Sequence, residues 1–217
     1  MALALHDPKP RLRGWLHLGA FPTAIIAGLI LISTAPTLTG RLATAVYIAT
    51  SAALFGISAL YHRTNLNERA TKWLKRLDHA NIYLIIAGTY TPIAVLALDG
   101  TARTALLTAI WAGALAGVAF RTLWVGAPRW LYTPLYIGLG WAAVFVMPQL
   151  IDGAGTTATV LIFTGGVLYT IGGVIYALKR PNPSVQWFGF HEVFHAFTLA
   201  AYAAQFAAVA LVVHSAN

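Results

Sequence analysis

Cysteine is missing from this 217-residue chain, which excludes disulfides and thiolate ligands, so any metal must be held by nitrogen and oxygen. Charge is also scarce. Only 9% of the residues are charged while 59% are hydrophobic, against about 25% charged in a soluble domain, and a chain so poor in charge cannot clothe a water-facing surface. Acid is scarcest, with six Asp and Glu against fourteen Lys and Arg and a formal charge of +8. The cations are scattered in short segments between apolar runs and form no basic domain, so nucleic acid is excluded and anionic lipid headgroups are the expected partner. Long stretches of alternating polarity are lacking too, which excludes a transmembrane barrel and leaves helices. Low-complexity tracts and internal repeats do not occur.

What is present is a series of apolar runs. Crossing about 30 Å of hydrocarbon takes about 20 residues, and runs bounded by charge, Pro and Gly fall at 14–35, 41–62, 78–98, 104–121, 131–149, 157–178 and 190–213. The expected fold is all-α: a polytopic membrane protein of seven transmembrane helices forming one domain over 1–217. The first run is long for a secretory h-region of about 7 to 15 residues and is expected to be a retained helix. Twelve of the fourteen Lys and Arg fall on one side of this topology, with only Arg41 and Arg103 on the other. That asymmetry predicts a cytoplasmic N-terminus and an external C-terminus. Glycines at 113, 117, 165, 166, 172 and 173 are expected to let helices approach closely, and Pro92 and Pro148 are expected to kink their spans.

An ionisable group inside a span costs about 2.5 to 3.5 kcal/mol on insertion scales, so the few that persist call for a partner or a task. The second run ends in SALYH, with Ser58 and His62. The third opens with Asp78, and the last opens with HEVFH, giving His191 and His195. The predicted orientation brings His62, Asp78, His191 and His195 to a single depth near the cytoplasmic face. Residues four apart share a helix face, so His191 and His195 can reach one ion, and Ser58 sits one turn from His62. Three imidazoles with an open fourth position have the composition of a catalytic zinc site.

These residues resemble a known family. Ser-x-x-x-His closing the second span, Asp opening the third in LDHANIYLIIAGTYTPIAV, and His-x-x-x-His opening the seventh are similar to the bacterial hemolysin III proteins. Those form a branch of the progestin and adiponectin receptor family, within a group of seven-helix membrane hydrolases that includes the alkaline ceramidases. The resemblance implies Zn2+ held by His62, His191 and His195, Asp78 beside the metal's water, and Ser58 completing the set. It also implies lipid amide hydrolysis in some relatives, receptor roles in others and cytolysis behind the bacterial name.

Other residues admit competing readings. Asp78 has the chemistry of an N-cap for the third helix, and at the metal it is either general base or fourth ligand. Ser58 has the alternative of bonding its own helix carbonyl. Glu192 makes HEVFH a formal HExxH zincin pattern, in which the carboxylate is the base, and Leu98-Asp99-Gly100 echoes the aspartate motif of intramembrane metalloproteases. Asp99 nevertheless falls at the opposite end of its span, about 30 Å from the histidines. His79 lies about 100° off the Asp78 face and is expected to be a solvated loop residue. His6, His17 and His214 are assigned no role. Tyr83, Tyr90, Tyr169, Phe194 and Phe197 are candidates to line a lipid cavity, with packing as the alternative.

The leading expectation is a zinc-dependent hydrolase of an amide-linked acyl lipid in the bacterial cytoplasmic membrane. Behind it stand a receptor-like regulator with a structural zinc, a pore-forming cytolysin and an intramembrane metalloprotease.

Overall fold

A computed structural model describes residues 9–124 and 126–215; His6 lies outside them. The regular elements among the described residues are helices, apart from a single bridge between Ser184 and Phe188. Its elements are α1 (Trp15–Thr34), α2 (Leu38–Arg63), α3 (Glu68–Ala97), α4 (Gly100–Leu123), α5 (Arg129–Gly140), a 3-10 segment (Trp141–Val146), α6 (Met147–Leu178) and α7 (Phe190–Ser215). Six helical stretches are long and apolar enough to cross a membrane. Their outward faces carry large apolar side chains such as Ile26, Leu29, Leu42, Leu115 and Phe145, whereas Thr44, Ser51, Ser58 and Gln205 are buried. Apolar-out, polar-in is the arrangement a lipid solvent selects, because interior polar groups find partners that hydrocarbon cannot offer.

Two boundaries differ from expectation. α3 starts at Glu68, ten residues before the apolar run, with the Asn67 side chain accepting from the Ala70 amide at 2.9 Å. Asp78 is therefore not an N-cap. The charged segment 68–76 is helix continuing beyond the apolar stretch, since charge marks where hydrocarbon ends and does not stop a backbone ladder.

The second difference is the absence of a loop between the fifth and sixth runs. Arg129–Leu178 is one helical stretch of 50 residues, which would rise about 75 Å if straight. It is broken at Gly155, whose φ of 79° and ψ of 159° lie outside the helical region and are open chiefly to glycine. The two parts pack side by side and antiparallel. Trp141 Nε1 donates to Thr170 Oγ1 at 2.9 Å, and Gly173 faces Thr133 and Ile137. Pro148 sits in the first turn of α6, where its missing N–H costs no hydrogen bond, directly after Val146, whose φ of −125° and ψ of 21° interrupt the helix.

The glycines act at interfaces. Gly165 and Gly172 meet Gln205 and Phe197 of α7, Gly166 and Gly173 face Trp141 and α5, and Gly117 lies under the Tyr83 ring. α2 approaches α3 closely at Gly88, where a Cβ would fall 1.9 Å from Thr50 Oγ1.

Candidate metal centre

The site forms where the C-terminal turn of α2 meets the first two turns of α7. α7 is anchored at its start by three contacts: the Phe190 amide donates to Asn182 Oδ1 at 2.8 Å, the Gly189 amide donates to Glu192 Oε2 at 2.8 Å, and Arg13 donates to Glu192 Oε1. Both carboxylate oxygens of Glu192 are thus engaged, and its side chain is 1% exposed. It holds the helix start, and the zincin-like role is left without a free base. Gly14, with φ 83°, lets the chain entering α1 press against His62; a Cβ there would lie 2.7 Å from the His62 Cβ.

On this frame His62, His191 and His195 present nitrogens that all lie within 4.8 Å of one another. His62 Nε2 and His191 Nε2 are 3.1 Å apart. Two nitrogens bound tetrahedrally to zinc at 2.0 to 2.1 Å stand about 3.3 Å apart, so this spacing fits one ion between them. Asp78 Oδ2 lies 3.8 Å from His62 Nε2, beside the cluster. Ser58 is buried beside the Asp78 carboxylate, and its hydroxyl makes no hydrogen bond of ordinary geometry among the described residues. It does not bond its own helix. An orphaned hydroxyl beside three convergent imidazoles and a carboxylate is a donor set that fits a hydrated divalent ion.

Two other histidines depart from expectation. His79 is buried, its Nδ1 donating to the Lys75 carbonyl at 2.7 Å and its Nε2 lying 3.2 Å from the Tyr176 hydroxyl. The solvated-loop reading fails because α3 is already helical there. His17, to which the sequence reading gave no role, is 3% exposed and stacks on His195, with ring centroids 3.8 Å apart and planes 6° apart. The available signal was an ionisable side chain within an apolar run. His214 sits at the opposite end, 3.2 Å from Thr34 Oγ1, and Asp99 pairs with Arg103 there at 2.8 Å.

The cluster lies between two spaces. One is a polar vestibule of about 650 Å³ lined by Lys9, Arg13, Lys75, Arg121 and Arg129, with Asp78 its one carboxylate among the described residues. The other is an apolar cavity of about 120 Å³ that runs between the helices past Ile82, Ile86, Tyr90, Tyr169 and Phe194. Of the five aromatic candidates, Tyr90, Tyr169 and Phe194 line it, while Tyr83 packs on Tyr136 and Phe197 on Gly172. Asp78, His79, Tyr176 and His191 border both spaces. A strap from the N-terminal segment edges the vestibule: Arg11 and Leu12 donate backbone hydrogen bonds to Gln186 and Trp187, and Lys9 Nζ donates to the His62 carbonyl at 2.6 Å. Partial burial and the positive charges of Arg13 and Arg63 hold the Lys9 ammonium below its ordinary pKa.

Long apolar helices wrapped around buried, convergent imidazoles define an integral membrane protein with a candidate metal centre. Comparison gives the class a name: the chain belongs to the haemolysin-III related family, whose profile matches residues 5–206. It is 34% identical to a hemolysin-3 homolog of Bacillus subtilis over 157 residues, covering 70% of this chain and 68% of the relative. It is 30% identical to hemolysin-3 of Bacillus cereus over 183 residues, covering 84% and 80% respectively.

Proposed function

We propose that this protein is a zinc-dependent hydrolase of acyl lipids, acting at an amide, with its site at the cytoplasmic face of a bacterial plasma membrane. The reading includes seven passes, the stretch Arg129–Leu178 making two of them by doubling back near Gly155, and a cytoplasmic N-terminus. It also places the protein in the wider progestin and adiponectin receptor group that the motifs resemble.

One observation carries the reading. The residues that border the histidine cluster border a polar space on one side and an apolar space on the other, which is the shape an amphiphile requires. Acyl chains would occupy the apolar cavity, the headgroup would face the vestibule, and the scissile carbonyl would stand at the junction. His62, His191 and His195 would hold the ion, which when bound supplies a Lewis acid and a water acidified to a pKa of about 7. Asp78 would take the proton from the attacking water and return it to the leaving amine, while Ser58 donates to the oxygen that gains charge.

The receptor-like alternative with a structural zinc calls for a fourth protein ligand, and Asp78 stands outside the histidine set. The cytolysin reading, which the relatives' names invite, calls for a continuous polar passage, whereas the space beyond the histidines is apolar. The test is metal analysis of purified wild type and His62→Ala alongside fatty-acid release from amide- and ester-linked lipids. We expect near one zinc per wild-type chain and loss of both zinc and product in the variant. A zinc-loaded protein that releases no fatty acid from any of these lipids would overturn the hydrolase.

A further inference from the structure

Among the described residues, the vestibule holds more positive charge than its carboxylate can balance. Arg121, in the last turn of α4, is 1% exposed, yet no Asp or Glu among the described residues pairs with it. Its Nη1 reaches only the Trp124 carbonyl, at 3.3 Å, and its Nε has no partner. A headgroup-facing arginine of the positive-inside kind would extend outward into water. This one is folded inward over the Tyr132 ring, with Cζ 4.2 Å from the ring centroid.

Arg129 repeats the pose over Tyr176 at 4.3 Å, while its Nη1 donates to the Tyr176 carbonyl at 2.9 Å. The two tyrosine hydroxyls are 3.3 Å apart, so one aromatic wall carries both guanidiniums. The same wall reaches the metal centre, since the Tyr176 ring centroid lies 5.7 Å from that of His191. Lys75 completes the cationic side. A buried guanidinium with open donors and no acid is the environment that binds an oxyanion, because charge-assisted N–H bonds gain strength where water is excluded.

We infer that Arg121, Arg129 and Lys75 form a subsite for a phosphate-type oxyanion beside the histidine cluster, so that the lipid accepted here carries a net negative phosphate headgroup. This rests on the proposed lipid site for the identity of the larger ligand, whereas the anion subsite itself stands on the arginines. The selectivity follows from charge. A zwitterionic headgroup brings its own cation into a vestibule already lined by five, and a neutral one leaves the guanidinium donors unmet.

The test is equilibrium titration of the full-length, metal-loaded protein in neutral detergent, read by calorimetry, with three probes: dihexanoyl phosphatidic acid, dihexanoyl phosphatidylcholine and sodium phosphate. We expect phosphatidic acid to bind about tenfold or more tightly than phosphatidylcholine. Arg121→Gln and Arg129→Gln should each weaken the phosphatidic acid by about tenfold at unchanged metal content, which separates the subsite from direct coordination at the ion. If Arg121→Gln fails to fold, Arg129→Gln and the exposed Lys75→Gln carry the test. Sodium phosphate binding as tightly as phosphatidic acid, with the same arginine dependence, would support the subsite and assign it to free phosphate. Equal affinity for the two lipids, or phosphatidic acid binding untouched by the substitutions, would overturn it. Arginine-dependent binding without fatty-acid release would sink the hydrolase and leave the subsite standing.

Discussion

The two ends of the helix bundle use the same side chains for different ends. At the end away from the histidines, Arg41 Nε donates to the Ala35 carbonyl six residues back, and Arg103 Nε donates to Leu98 five residues back. Each tidies the C-terminus of the helix that precedes it, and the Arg103–Asp99 pair lies open to solvent. At the histidine end the cations reach across the fold: Lys9 to His62, Arg129 to Tyr176, and Arg13 to Glu192 over 179 residues. Local contacts cap helices and cost little to lose. Long-range contacts fix how helices meet, and those at the histidine end tie the N-terminal segment to α2 and α7, which carry the three imidazoles.

The largest break in that contrast is expected from His62→Ala. Removing one of three convergent ligands should abolish metal retention and product formation together, checked by metal analysis and lipid products on one sample. Next comes Asp78→Asn, which leaves the three imidazoles in place. Its expected signature is full metal content with turnover lowered roughly 10²- to 10⁴-fold, the span of a lost general base. Loss of metal in Asp78→Asn would instead make Asp78 a ligand.

Glu192→Gln sharpens the contrast from the side of the frame. The substitution strips a buried pair of one charge while Arg13 remains, a change that costs about 3 to 5 kcal/mol when the partner stays. A lowered thermal midpoint in detergent is expected, with the folded fraction still binding metal and still turning over. An unchanged midpoint with abolished turnover would restore the zincin role for this carboxylate.

The sequence made some of this legible and hid the rest for physical reasons. His62, Asp78, His191 and His195 could be placed at one depth because hydropathy and charge asymmetry both measure depth. Azimuth is a different quantity. His17 gets no role from the sequence because it lies at an interface position near the start of its run, and only packing turns its ring onto His195. His79 was misplaced because the charged residues at 68–76 ended the apolar run, although Asn67 followed by Glu68 is a helix-start signal in its own right. The doubling back near Gly155 was anticipated as a loop, since two passes need a connection. That one left-handed glycine could supply most of it is a property of backbone angles, which hydropathy does not register.

The smallest effect should come from the far end, where the double substitution Arg41→Ala/Arg103→Ala removes two charges without touching any contact between helices distant in sequence. The exposed Arg103–Asp99 pair contributes little, because solvent screens it and long side chains lose entropy in holding it, and the bonds of Arg41 to Ala35 and of Arg103 to Leu98 each join only residues a few positions apart. We expect a thermal midpoint indistinguishable from wild type, full metal content and unchanged lipid products, while Arg129→Ala alone lowers the midpoint by releasing α6 from α5. A double variant as damaged as Arg129→Ala would mean that both ends of the bundle carry load, and that the division between local capping and site assembly does not hold.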